Sequence, residues 1–158
     1  TSVDLLNDTA LELFQHPKIV AFKDATGNLE RGYELVKKAP SGVRIYSGDD
    51  PTAARLMLAG GAGNISVTAN VIPKTMAELC TAAMSGDQAT VEAISIRIAE
   101  LNRVLFLESN PIPVKWAVSE LGLIEPHIRL PLTPFSSKYH AAMRAAMADL
   151  GQAQAAMG

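Results

Sequence analysis

Several things are scarce or missing in this chain, and each absence closes off a class of function. Cysteine occurs once, at Cys80, which excludes a disulfide framework and a cysteine-rich metal site and fits a reducing compartment. A cytoplasmic location is therefore expected. There is no surplus of basic charge: 14 Lys and Arg stand against 16 Asp and Glu, a formal net charge of −2. That balance counts against a nucleic-acid or acidic-membrane partner. No apolar run approaches membrane-spanning length. Residues 1–10 hold Asp4 and Asp8 but no basic residue, which is not the pattern of a secretory leader. Charged residues make up 19% of the chain and hydrophobic ones 48%, a globular balance rather than a disordered one. The 158 residues have room for a sizeable core.

The first half alternates helical and strand patterns. Leu5 to Gln15 shows apolar residues at helical spacing, with Asp8 as the expected cap. Ile19-Val20-Ala21-Phe22 is short, continuous and apolar, which predicts a parallel strand buried on both faces. It delivers Lys23 to its C-terminal end, just before a Thr26-Gly27-Asn28 turn whose asparagine can cap the next helix, Leu29 to Lys38. Val43 to Ser47 is a second strand, and Pro51 suits the first turn of a helix ending near Leu58. Asn64 to Thr68 is a third strand. This alternation is the grammar of a parallel α/β sheet with crossover helices. A lysine half-sunk in apolar surroundings presents a neutral amine that can attack a carbonyl. The alternative is a lysine that snorkels at a strand end.

The second half is all helix: Pro73 to Met84, then Asp87 capping a helix to about Leu107, Val114 to Leu121, and Ser136 to Leu150. Val91, Ile94, Ile98, Leu101 and Leu105 form one apolar stripe. Met84, Met143 and Met147 suit core filling. Gln152 to Gly158 reads as a frayed tail. Three parallel strands leave two open edges, and a complete (β/α)₈ barrel needs about 250 residues. The chain therefore reads as part of something larger: a partial barrel over residues 1–70 and a helical domain over 71–158.

Five blocks carry a resemblance to a known family. They are Ile19 to Asn28, Ser47-Gly48-Asp49-Asp50, Gly63 to Asn70, Asn110-Pro111-Ile112-Pro113-Val114-Lys115-Trp116-Ala117 and Arg129 to Pro134. In this order they resemble the dihydrodipicolinate synthases of the pyruvate aldolase superfamily, over their C-terminal half only. The resemblance implies the last three strands of a (β/α)₈ barrel followed by a C-terminal helical domain. It implies a lyase-type step of lysine and diaminopimelate biosynthesis, in which Lys23 forms a Schiff base with pyruvate and the enamine attacks aspartate-4-semialdehyde. No cofactor and no metal are implied. Gly48 and Ile65 match family positions whose backbone lines the pyruvate pocket.

The family's proton-relaying tyrosine, its threonine pair, a second tyrosine lent by a neighbouring subunit and the arginine that grips the semialdehyde are not matched within these residues. Tyr33, Tyr46 and Tyr139 do not align with them. The expectation is negligible activity for the 158-residue chain alone, with an N-terminal half on another chain as the partner that would complete it. A non-catalytic, self-associating remnant is the alternative, and another pyruvate-dependent aldolase such as N-acetylneuraminate lyase is a third reading. Uncovered strand edges predict a homo-oligomer, dimer or higher.

The remaining motifs read as structural. Gly60-Gly61-Ala62-Gly63 lacks the Lys-Ser or Lys-Thr of a phosphate loop and predicts a tight helix-to-strand turn. Asp49 and Asp50 read as helix caps rather than a metal pair. His16, His127 and His140 fall on polar loop or helix surface and are assigned no ligand role. Lys115 and Trp116 are expected to pack the helical domain against the barrel.

Overall fold

The computed structural model describes residues 3–155, with side chains to residue 150. Among the described residues the regular elements are, in chain order, α1 (Asn7–Leu13), β1 (Ala21–Asp24), α2 (Leu29–Lys38), β2 (Arg44–Ser47), α3 (Asp50–Leu58), β3 (Gly63–Asn64), α4 (Pro73–Ser85), α5 (Gln88–Val104), α6 (Ile112–Glu120) and α7 (His140–Ala155), with 3₁₀ turns at Thr68–Asn70 and Ser137–Tyr139. The chain forms two compact units: Thr1–Ser66 with Glu78–Val91, and Val67–Ala77 with Glu92–Gly158.

The first unit is α/β. Its three strands are parallel in the order β1-β2-β3. Ala10, Phe14, Leu35, Ile45 and Leu56 form its core, with Phe22 and Val36 packed against them. Phe14 meets Phe22 edge-on, ring centroids 5.7 Å apart, which ties α1 to β1. Local sequence explains the helix starts. Asn28 and Asp49 each accept a backbone N–H three residues on, from Arg31 and Thr52, and so cap α2 and α3 as expected. Residue 6, not Asp8, is the cap position of α1, and it makes no side-chain bond; Asp8 lies in the first turn, where its charge favours the helix dipole.

Two strand expectations need correction. β1 is buried on one face only: Phe22 and Asp24 point into the unit, while Ala21 and Lys23 are exposed. Helices cover one side of this sheet, so an apolar run that suits a two-sided strand is wetted on its other side. β3 comprises only Gly63 and Asn64, because the chain turns into a 3₁₀ helix at Thr68 instead of continuing extended.

The second unit is helical. Its core holds Ile94, Ile98, Leu101, Leu105, Ile112, Val114, Ala117, Met143, Ala146 and Leu150, so the stripe predicted on α5 is the buried face. Thr68 and Asn102 hydrogen-bond at 2.7 Å inside it, satisfying two polar groups that burial would otherwise penalise. Of the three methionines, Met143 is fully buried and Met147 half-buried, but Met84 is 62% exposed; it sits at the last turn of α4, off that helix's buried side. The helical backbone continues to Ala155, beyond the predicted start of fraying at Gln152, and residues 156–158 lie outside the described ones. Among the described residues, no helix is long and apolar enough to cross a membrane.

Candidate active site

The C-terminal ends of the three strands bring Lys23, Gly48 and Ile65 into succession. Lys23 is the third residue of β1 and registers with Tyr46 on β2, which registers with Gly63 on β3. Registered residues of parallel strands point to the same side, so Lys23 and Tyr46 are neighbours on the open face of the sheet. Tyr46 lies over Gly63, where an added Cβ would stand 3.2 Å from its ring. Gly63 has φ +151°, a backbone shape that a side chain strains.

Gly48 makes the closest approach to Lys23. Its N–H donates to the Asp24 carbonyl at 2.7 Å, which extends the β1–β2 pairing by one step. A Cβ at Gly48 would collide with Lys23 Cε and stand 2.8 Å from Ala25 Cβ and 3.1 Å from Lys23 Cγ. The lysine stem therefore lies across bare glycine backbone. One strand further, the Ile65 N–H donates to the Ser47 carbonyl at 2.8 Å, and its side chain is half exposed. The three predicted site residues thus sit on neighbouring strand ends of one sheet. Lys23 itself is exposed rather than half-sunk, since it lies on the side of the sheet that the helices do not cover.

Beneath this face a buried polar cluster fixes the loops. Asp24 is 6% exposed and accepts the Thr26 N–H at 3.0 Å, bending the chain directly after Lys23. Ser47 Oγ accepts the Asp49 N–H at 3.1 Å. Asn64 Nδ2 donates to Asp50 Oδ1 at 2.7 Å, joining β3 to the start of α3. Cys80 belongs to the same unit, and burial pushes its thiol above the ordinary range, against a lowering contribution from the Asn64 backbone. Asp49 is occupied as a cap, its Oδ2 2.6 Å from Thr52 Oγ1. Among the described residues, no group of three or more His, Cys, Asp or Glu could hold a metal ion.

Tyr46 is the neighbour that the motif reading did not place beside the lysine. Alternation along β2 was the available signal, but it needed the register with β1 to become specific.

The blocks quoted above can now be set against known proteins. The model of the dihydrodipicolinate synthetase family matches residues 1–150. The chain belongs to that family. A 4-hydroxy-tetrahydrodipicolinate synthase of Nitrosomonas europaea is 55% identical over 151 residues, covering 96% of this chain and 52% of that protein. A dihydrodipicolinate synthase of Acinetobacter baumannii, chloride-inhibited and solved in complex with pyruvate, superposes with TM-score 0.92 at 51% identity, covering 96% of this chain and 52% of that one. A synthase variant described as the first monomeric one superposes with TM-score 0.89 at 37% identity over the same shares. The chain spans about half the length of the family relatives it matches, and it corresponds to their C-terminal half. Within the family segment, Lys23, Gly48 and Ile65 all lie in the α/β unit.

Proposed function

We propose that this chain supplies the Schiff-base half of a 4-hydroxy-tetrahydrodipicolinate synthase, with Lys23 as the residue that binds pyruvate. The observation that carries the reading is the placement of Lys23 at a strand end, its stem lying on Gly48, in a chain of this family. The Lys23 amine adds to the pyruvate carbonyl, and loss of water gives the imine. Removal of a methyl proton then yields the enamine, whose carbon attacks the aldehyde of aspartate-4-semialdehyde. Attack of the product's own amine closes the ring and releases Lys23. The amine must be neutral when it attacks, and the protonated imine it forms is the electron sink that lets the methyl proton leave. Gly48 offers backbone without a side chain to the bound keto acid, and Ile65 lines the next strand end. The pyruvate complex of the Acinetobacter relative supports pyruvate as the first substrate.

The sheet is read as the last three strands of an eight-stranded barrel, residues 1–70, with residues 71–158 as the closing helix and helical domain. On this reading the open face beside Lys23 and Tyr46 is the inside of the barrel. Proton relay is commonly worth about 10²–10⁴-fold, so a chain without the family's relay and carboxylate clamp turns over negligibly alone. Pyruvate with aspartate-4-semialdehyde and the purified chain should give no rate above background, and adding a separately produced N-terminal half should restore synthase activity. Turnover by the chain alone contradicts the half-enzyme reading. Restored turnover with N-acetylmannosamine instead of the semialdehyde would move the assignment to the sister lyases.

A further inference from the structure

We propose that the helical unit binds a small aromatic monocarboxylate in a cavity that takes no part in the Lys23 chemistry. Ile112, Lys115 and Trp116 of α6, His127 of the following loop, and Phe135 and His140 at the start of the last helical segment line a cavity of about 220 Å³ that is open on one side. All of them belong to the second unit. An apolar cavity of about 150 Å³ holds a benzene ring, so this one has space for a ring and a carboxylate.

The lining sets the ligand class. Trp116 and His140 stack with centroids 4.3 Å apart at 23°, and Phe135 and His140 at 5.6 Å and 28°. Trp116 and Phe135 meet at 5.5 Å and 49°, so the three rings form a folded aromatic wall suited to an offset or edge contact with a flat ligand. His140 is held in place by its Nε2 contact with the Phe135 carbonyl at 3.1 Å, so the wall is preorganised. No carboxylate lines the cavity. Two nearby acids are engaged elsewhere: Glu120 pairs with Arg144 at 2.6 Å and Glu108 accepts the Ser136 N–H at 3.4 Å; Glu125, two positions before His127, is exposed to solvent. Lys115 and His127 have no ion pair or side-chain hydrogen bond to another described residue. Lys115, a half-buried residue beside aromatic rings, favours an anion whose body is flat and apolar.

His127 and His140 stand 13 positions apart in the sequence and read there as surface residues. His127 is exposed as that reading expects and His140 is half-buried, and both line the cavity. Trp116 packs on Phe135 and His140 within its own unit.

Trp116 is the only tryptophan, so its fluorescence reports the cavity directly. Titration with benzoate should change that fluorescence saturably, and benzyl alcohol of the same shape should bind at least about tenfold more weakly. Lys115→Met should remove the preference, and His127→Gln should weaken benzoate without touching benzyl alcohol. Circular dichroism checks that each variant folds; the comparison of the two probes on the unaltered chain stands without them. Absence of saturation, or equal binding of the two probes, overturns the proposal. Lys23→Met should leave benzoate binding unchanged, and a loss there would place benzoate at the lysine and overturn the separate site.

Discussion

Gly48 decides how Lys23 lies. Any side chain at this position meets the lysine stem and Ala25, so Gly48→Ala must push Lys23 aside or shift the strand end. Overpacking of this kind costs about 1–3 kcal/mol. We expect that loss in urea denaturation, together with reduced covalent capture of pyruvate; unchanged capture would show that the lysine does not depend on the glycine. Cys80 offers a second check. Burial raises its thiol above the ordinary 9.0, so the folded state holds the proton more tightly than the unfolded chain. That contribution to stability is complete below pH 9.0 and is lost as pH rises through the raised value. Thermal melts should therefore fall on the alkaline side, and less so in Cys80→Ala. Because the thiolate is the nucleophile, iodoacetamide should modify Cys80 more slowly in the folded chain than in urea. Lys23 was legible in the sequence because one strand run and one turn define it. Its exposure was not, since that depends on what lies across the sheet.

Helix caps carry much of the local order. Asp49 holds the Thr52 N–H and hydroxyl at the start of α3, and Asp49→Ala should cost about 1 kcal/mol, read as a lower urea midpoint with an unchanged slope. A change below about 0.3 kcal/mol would mean that water replaces the cap. Helices α2, α3 and α5 could be read closely from the sequence because Asn28, Asp49 and Asp87 mark their starts and the apolar spacing marks their faces. The strands were harder. β3 shrank to Gly63 and Asn64, and the Thr68 beyond it is buried with Asn102 as its hydrogen-bond partner; no local signal announces a partner 34 positions away. The Trp116, Phe135 and His140 cluster was hidden for the same reason: its rings meet only through tertiary folding.

In the whole molecule, the sheet presents one covered and one open side. On the open side Ala21, Lys23 and Arg44 are exposed, and Ile65 shows 50% of its surface. Exposed strand edges and apolar residues favour association, so sedimentation of the purified chain should show a dimer or larger species. A monomer across the concentration range would contradict this expectation, and the monomeric synthase variant shows that such a state occurs in the family. The family assignment could be read from the motif blocks, whereas the open face became visible only when the strands were in register. Borohydride reduction of the chain with pyruvate, read by intact mass and peptide mapping, goes straight to the role of Lys23. We expect one reduced pyruvate adduct, located on Lys23 and absent from Lys23→Met; folded protein without an adduct, or an adduct on another lysine, would contradict it.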